Sequence, residues 1–179
     1  MAAPSTVPIA NTTLADDKSL AITTESVAAI LERCKAPLIA DWLTRSRNTP
    51  QLNHLHLDDE GRTGHLPRLI DDIVARLGRA KLSGNNSDAI GSIAALDHGT
   101  LRQKQGYSSA MLIHESRILQ VAIFGTLQKN VSVLDFSLLL PDVMTIADEV
   151  DNQLSQTMES FVKESAKSPA YLLKLKSKE

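Results

Sequence analysis

The chain has 179 residues, of which 22% are charged and only 3% are aromatic, and its formal net charge is −2. This length predicts one domain with a sizeable core, and the mixed, nearly balanced charges exclude an obvious nucleic-acid-binding surface. The lone Cys34 excludes a disulfide framework and a cysteine-based metal site, and it favours a reducing compartment.

The N-terminal sequence has no basic segment followed by an apolar one, and no apolar run approaches the length of a membrane span. We therefore expect a soluble, cytoplasmic protein. Leu, Ile and Ala are abundant while aromatic residues are scarce, which favours helices over strands. Residues 1–23 are polar and lack sustained periodicity, so they predict a disordered tail.

The first predicted helix runs from about Thr24, its predicted N-cap, to Ser46. Pro37 lies inside this pattern and removes one backbone donor, which predicts a kink or break near Cys34. A polar connection with at most one short turn is expected over residues 51–63.

The clearest helical pattern in the chain follows this connection. Its apolar positions recur at helical spacing on one face, and charged residues occupy the opposite face. The apolar set is Leu66, Leu69, Ile70, Ile73, Val74 and Leu77, and the charged set is Arg68, Asp71, Asp72 and Arg76. The turn-forming residues from Gly78 to Asn86 predict a loop.

A third helix is predicted from about Asp88 to Gln105, with Gly106 ending it. We expect its buried stripe to contain the apolar residues, with one acidic residue on the stripe and a histidine at its edge. These are Ile90, Ile93, Ala94 and Leu101, then Asp97 and His98.

A fourth helix is predicted to start with Ser108 or Ser109 as N-cap and to continue to about Lys129. Glu115 lies in the middle of its apolar face, which is formed by Met111, Leu112, Ile118, Leu119 and Ala122.

A fifth helix is predicted from near Phe136 to about Lys163. Its apolar or small positions step alternately by four and three residues and form a heptad-like seam. The seam consists of Val143, Ala147, Val150, Leu154, Thr157 and Phe161. A helix facing the core of its own domain explains this pattern, and a parallel dimer contact is the alternative.

Five helices without a credible strand predict an all-α domain over residues 24–163, followed by a basic tail over residues 164–179. The expected architecture is a single antiparallel helical bundle of four-helix-bundle or globin-like outline, with a long C-terminal helix.

No nucleophile arrangement, phosphate-binding loop or dinucleotide fingerprint occurs, so the sequence does not predict an enzyme. His114 and Glu115 begin a segment similar to the phospho-accepting box of sensor kinases, but the proline and the nucleotide-binding segment that should follow are missing. The five histidines include no His-x3-His pair, so no metal or cofactor is predicted. They are His54, His56, His65, His98 and His114.

Glu115 would point into an apolar stripe, where a carboxylate is costly unless it is paired and hydrogen-bonded. Arg102 on the preceding helix is the obvious partner, because a helical hairpin brings the two faces together. We predict that Arg102 and Glu115 form either a structural pair that fixes helix register or a switch that responds to a signal.

Three segments carry a family resemblance when taken in order. The first begins with His65, Leu66 and Pro67; the second contains His98, Arg102, Gln105, Gly106 and Tyr107; the third contains Glu115 and Arg117. Together they resemble the N-terminal domain of the RsbT co-antagonist (RsbRD-type) proteins, which also heads many bacterial sensor histidine kinases. His114 and Ser116 depart from the family's usual Arg and aromatic residue.

The resemblance implies a non-catalytic signal-input and dimerisation domain of a bacterial stress or two-component signalling protein. Such a domain would be cytoplasmic and homodimeric, would bind an output domain or a signalling partner protein, and would pass signals through its C-terminal helix. A small-molecule or haem-binding globin-like sensor is one alternative function, and a histidine phosphotransfer bundle is another.

Overall fold

The computed structural model describes residues 24–83 and 91–167, except for the side chains of residues 81–83. The predicted N-terminal tail lies outside the described residues, as do residues 168–179 of the predicted C-terminal tail. The described part of the chain is helical, which confirms the all-α prediction. Extended pairing within it is limited to one isolated bridge, between Glu25 and Leu134.

The helices follow one another with short connections, and two 3-10 segments, Val131–Val133 and Phe136–Leu138, precede the last one. In chain order the α-helices are α1 (Val27–Arg33), α2 (Lys35–Arg47), α3 (Pro50–Asn53), α4 (Asp59–Thr63), α5 (Leu66–Ser83), α6 (Ile93–Lys104), α7 (Ser109–Lys129) and α8 (Leu139–Ala166).

The break between α1 and α2 lies at Cys34, as predicted. Pro37 has no N–H to donate one turn back, so the helix is interrupted at that point. The predicted N-cap was wrong: Ser26, not Thr24, caps α1, with its Oγ accepting from Ala29 N at 3.3 Å. Glu25, just before the cap, is extended: its backbone N–H donates to the carbonyl of Val133 at 2.6 Å, and its carbonyl accepts from Asp135 N at 2.9 Å.

The polar connection contains two short helices, α3 and α4, instead of one turn at most. Pro50 begins α3, and Asp58 caps α4 by accepting from Gly61 N at 2.7 Å. Helices of four and five residues are too short to show apolar periodicity. The predicted loop after Gly78 was also wrong in its first part, because α5 continues to Ser83.

The face of α6 was predicted incorrectly except at Ala94, which is buried as predicted. Ile93 is 68% exposed, and Leu101 and Asp97 also face outwards. The buried side otherwise carries Ala95, His98, Gly99 and Arg102, which are small or polar residues. The helix starts at Ile93 after Ser92, whose Oγ accepts from Ala95 N at 3.0 Å. The predicted start and Ile90 lie outside the described residues.

Small residues are needed on this side because α6 packs very closely against α8. A Cβ placed on Gly99 would overlap Ser160 Oγ and the backbone carbonyl of Thr157. The Thr157 hydroxyl donates to the carbonyl of Ala95 at 3.1 Å, which joins the two helices directly.

The main apolar core lies between α1, α2, α5, α7 and the first half of α8. The predicted apolar face of α5 is buried there, with Val74 at its edge, except for Leu69, which is buried in a smaller cluster with Ala94 and Ala95 of α6. Arg76, predicted on the charged face opposite the apolar one, is buried: it pairs with Glu149 Oε2 at 2.8 Å and with Asp148, both on α8.

The seam on α8 faces the core of the same chain. Val150, Thr157 and Phe161 are buried, and Val143, Ala147 and Leu154 are half-buried. Three of the six seam residues are thus packed inside the chain, which agrees with the explanation of a core-facing helix, and a dimer contact through the seam stays a prediction. No described helix is both long and apolar enough to cross a membrane.

Two glycines on different helices give a matched test of the α6–α8 approach. We expect Gly99→Ala to lower the free energy of unfolding by about 1–3 kcal/mol, because the added methyl group has no space. Gly78→Ala should raise it by about 0.5–1 kcal/mol, since the space beside Gly78 is open and alanine favours a helix. Urea denaturation measures both, and equal effects would contradict the close approach.

Candidate functional site

Arg102 and Glu115 form a buried pair, and this pair with its hydrogen-bond partners is termed the polar centre. Arg102, on the last turn of α6, is 0% exposed. Its Nε donates to Glu115 Oε2 at 3.0 Å, and its Nη2 lies 2.8 Å from Glu115 Oε1. This two-point geometry is the strongest arrangement for a guanidinium and a carboxylate.

Arg102 also binds the C-terminal end of α4. Its Nη1 donates to the carbonyl of Gly61 and its Nη2 to the carbonyl of Arg62, each at 2.7 Å. The last carbonyls of a helix have no partner within the helix and carry partial negative charge, so a buried cation is well placed there. Gln105 Oε1 accepts a further bond from Nη1 at 2.6 Å.

Tyr107 packs against one side of the Arg102–Glu115 pair. Its hydroxyl donates to Glu115 Oε1 at 2.8 Å, and the guanidinium of Arg102 lies 4.6 Å from the centre of its ring. Gly106 makes this possible, because its φ of 81° ends α6 in the left-handed conformation that glycine tolerates. Burial and the Glu115 carboxylate raise the pKa of Tyr107, so its hydroxyl remains a donor.

Two stacked histidines also contact the Arg102–Glu115 pair. The rings of His65 and His98 are parallel within 11°, with their centres 3.9 Å apart. His98 Nε2 lies 3.3 Å from Glu115 Oε2, and His65 Nδ1 lies 3.3 Å from Arg102 Nη2. Because arginine can only donate and the carboxylate can only accept, both rings are assigned as the tautomer with hydrogen on Nε2.

Burial keeps both rings neutral. It lowers the pKa of His65 well below its usual value, and the neighbouring His98 and Arg102 act in the same direction. Burial also lowers the pKa of His98, although Glu115 partly opposes this. For Glu115 itself, burial alone would raise the pKa, but the hydrogen bond from His98 and the charge of Arg102 outweigh it. The carboxylate is therefore charged and its pKa lies below the usual value.

Trp42 connects α2 to the polar centre. Its indole Nε1 donates to the backbone carbonyl of Glu115 at 3.2 Å, and its ring meets the edge of His65 with ring centres 6.0 Å apart. Leu66 is buried beside the histidines. A cavity of about 30 Å³ lies between these three residues and α8.

Donor atoms of His65, His98 and Glu115 lie within 4.8 Å of one another, which raises the question of a metal ion. The geometry does not suit one. The lone pairs of an imidazole lie in the ring plane, and two parallel rings direct them along separate planes instead of towards one ion. Both oxygens of Glu115 are also already bound to Arg102, Tyr107 and His98.

The other predicted family positions lie apart from this centre. Pro67 stands in the first turn of α5, and Arg117 is exposed on α7. Arg117 and His114 line an open surface groove together with Arg45. His54 and His56 are exposed between α3 and α4.

Sequence reasoning missed two members of the polar region. Trp42 belongs to the apolar positions that predict the first helix, a pattern that says nothing about a partner for its indole N–H, and Arg62 was not singled out. Arg62 is buried and donates to the carbonyls of Leu52, Leu55 and Leu57, which holds the α3–α4 connection in place. An arginine in a segment without apolar periodicity gives no signal that it is buried.

Comparison with protein-family models, curated proteins and solved structures gives no match for this chain. Membership of the RsbRD-type family therefore stays a prediction from the three segments named above.

The buried pair of Arg102 and Glu115 should contribute far more to stability than an exposed ion pair does. We expect Glu115→Gln or Arg102→Met to lower the free energy of unfolding by about 3–5 kcal/mol each, because either leaves a buried charge without its partner. The double variant should lose clearly less than the sum of the two. Urea denaturation of all four proteins measures this coupling.

The exposed pair of Lys163 and Glu159 on α8 provides the control. Glu159→Gln should leave the unfolding midpoint unchanged. Additive effects of the two central substitutions, or a loss as small as that of the control, would contradict the importance of the pair.

The stacked histidines predict a pH dependence of stability. Both pKa values are lowered by folding, so the unfolded chain binds more protons, and the free energy of unfolding should fall as the pH drops below about 6.5. Each histidine adds a slope of at most about 1.4 kcal/mol per pH unit. Glu115 acts in the same direction at lower pH, below about 4.3.

Urea denaturation between pH 8 and pH 5 measures this slope in the wild type and in His98→Gln, where it should be smaller. Burial raises the pKa of Glu149, so that residue contributes with the opposite sign. Because Glu149 is present in both proteins, its contribution cancels when the slope of the variant is subtracted from that of the wild type. Parallel curves for the two proteins would show that His98 is not kept neutral by folding.

Proposed function

We propose that this chain is a non-catalytic signal-input and dimerisation module of a bacterial stress or two-component signalling protein, and that signals leave it through α8. The observation that carries the proposal is the position of the Arg102–Glu115 centre. It holds α4, α6 and α7 together, and α6 in turn packs tightly against the 28-residue helix α8.

Several buried contacts would pass a movement of the centre to α8. Thr157 donates to Ala95 on α6, and Gln153 Nε2 donates to the carbonyl of Leu69 on α5 at 3.0 Å. The absence of free space at Gly99 means that α6 cannot shift without moving α8. Closely packed helices respond to such shifts by rotation or translation of the whole helix.

The polar centre supports a sensing role better than catalysis. A catalytic group has to reach a substrate, whereas Arg102 and Glu115 are buried and their polar atoms are bound to neighbouring groups. The adjacent cavity of about 30 Å³ has room for one or two water molecules and is far too small for a porphyrin. Among the candidates, this favours a signal-input module over a haem sensor.

Dimerisation is proposed through the surface around the start of α8. Large apolar side chains are exposed along residues 131–144, and exposed patches of this kind mark interaction sites. They belong to Val131, Phe136, Leu138, Leu140 and Met144. An open groove of about 280 Å³ beside them is lined almost entirely by apolar side chains of α7, the 3-10 segments and α8. We propose a second copy of the chain as the partner that covers it.

The remaining features belong to the same proposal. They are the antiparallel bundle of four-helix-bundle or globin-like outline, the cytoplasmic location, and an output domain or signalling partner protein as the receiver of the signal. Family resemblance supports all three, and the all-helical fold is consistent with the first.

Transmission through α8 can be tested by hydrogen exchange. We expect Glu115→Gln to speed amide exchange in peptides covering residues 139–166 as well as in α6 and α7, because α8 responds to the centre. Glu159→Gln, on the exposed face of α8, should leave exchange unchanged. An increase confined to α6 and α7, or an equal increase in every helix, would contradict transmission through α8.

Dimerisation can be tested by analytical ultracentrifugation of the full chain. We expect a dimer whose dissociation constant rises about tenfold or more in Met144→Glu, because a charge replaces an apolar contact. Met144 is 65% exposed. Val162→Glu is the matched control, since Val162 is 58% exposed and lies about 27 Å further along α8. A strict monomer at high concentration, or dissociation by the control alone, would refute this interface.

A further inference from the structure

Two residues that line the space between the polar centre and α8 each carry a buried polar atom that has no partner among the described residues. His98 is 6% exposed and Gln153 is 3% exposed, and both line the cavity of about 30 Å³. No protein group among the described residues donates to His98 Nδ1 or to Gln153 Oε1. Because a buried acceptor without a donor destabilises the folded state, two of them beside one cavity need an explanation.

The chemistry of both atoms is fixed by their neighbours. His98 uses its Nε2 hydrogen for Glu115, and the neutral ring then has a bare lone pair on Nδ1. Gln153 Nε2 donates to the carbonyl of Leu69 at 3.0 Å and to Glu149 Oε1 at 3.2 Å. Turning the amide over would place Oε1 against these two acceptors, so Oε1 has to remain on the other side.

We propose that this cavity binds one water molecule that donates one hydrogen to His98 Nδ1 and the other to Gln153 Oε1. The volume suits one or two waters. Ser116, which also lines the cavity, has a hydroxyl hydrogen that can complete the coordination of the water. The ligand class is therefore a small neutral molecule with two donor hydrogens, and an anion is excluded because it offers none.

The bound water joins two buried ion pairs of the described residues, Arg102–Glu115 and Arg76–Glu149. The chain of hydrogen bonds runs from Glu115 through His98 to the water, and from the water through Gln153 to Glu149, which pairs with Arg76. The centre around Arg102 and the polar contacts of α8 thus form one network. This inference concerns binding only and stands whether or not the chain is a signalling module.

A crystal structure of the wild-type chain at about 1.5 Å resolution or better tests the proposal. We expect one solvent peak within about 2.7–3.2 Å of both His98 Nδ1 and Gln153 Oε1. The peak should disappear in Gln153→Met, which removes one acceptor and keeps a similar volume. It should persist in Gln156→Met, the control, because Gln156 lies on the same helix but accepts from Ser92 N at 2.6 Å.

Three results would overturn the proposal: an empty cavity, a peak at about 2.0–2.2 Å that indicates a metal ion, or an amide of Gln153 turned to donate to His98. Long-range proton–nitrogen NMR of the wild-type imidazoles gives a second test that needs no variant to fold. His98 should show hydrogen on Nε2 and the nitrogen shift of a hydrogen-bonded acceptor at Nδ1. Hydrogen on Nδ1 would contradict the water as donor.

Discussion

A single buried guanidinium determines how the helices of this protein meet. Arg102 donates to Glu115 Oε2, to two carbonyls at the end of α4 and to the Gln105 amide oxygen, and Glu115 Oε1 and His65 Nδ1 lie within 3.3 Å of its Nη2. A buried charge is tolerated only when its hydrogen bonds are made. The positions of α4, α6, α7 and the start of α5 are therefore constrained together, because a shift of any one would leave a charged group without its partner.

The free-energy cost of burying a charge explains which parts of the site could be predicted from the sequence. Glu115 stands on an apolar face, and the cost of burying its charge identified Arg102 on the neighbouring helix as its partner. The apolar stripes of α5 and α7 followed from periodicity for the same kind of reason. In α6 the periodicity of large apolar residues was misleading, because its packing against α8 leaves space only for residues such as Ala95 and Gly99. A glycine inside a helix was the available signal for that close contact.

Other features depend on tertiary contacts that have no local pattern. Helices α3 and α4 are held by caps and by the side chain of Arg62, which binds carbonyls five to ten residues earlier in the chain. Arg76 was predicted on the charged face of α5, opposite the apolar stripe, but its two acidic partners lie on α8, more than seventy residues away. The stacking of His65 on His98 similarly brings together two motifs that the sequence separates.

The two buried ion pairs have different consequences. Arg102 and Glu115 lie within a dense set of hydrogen bonds, and Glu115 keeps a lowered pKa in spite of its burial. Arg76 shares its charge between Asp148 and Glu149, and burial outweighs this pairing so that the pKa of Glu149 is raised. Replacing buried ion pairs by apolar residues is often neutral or stabilising, so their value lies in fixing one arrangement of helices. Because one pair fixes α6 and α7 and the other fixes α5 on α8, the register of α8 depends on polar contacts that a local change of charge can alter.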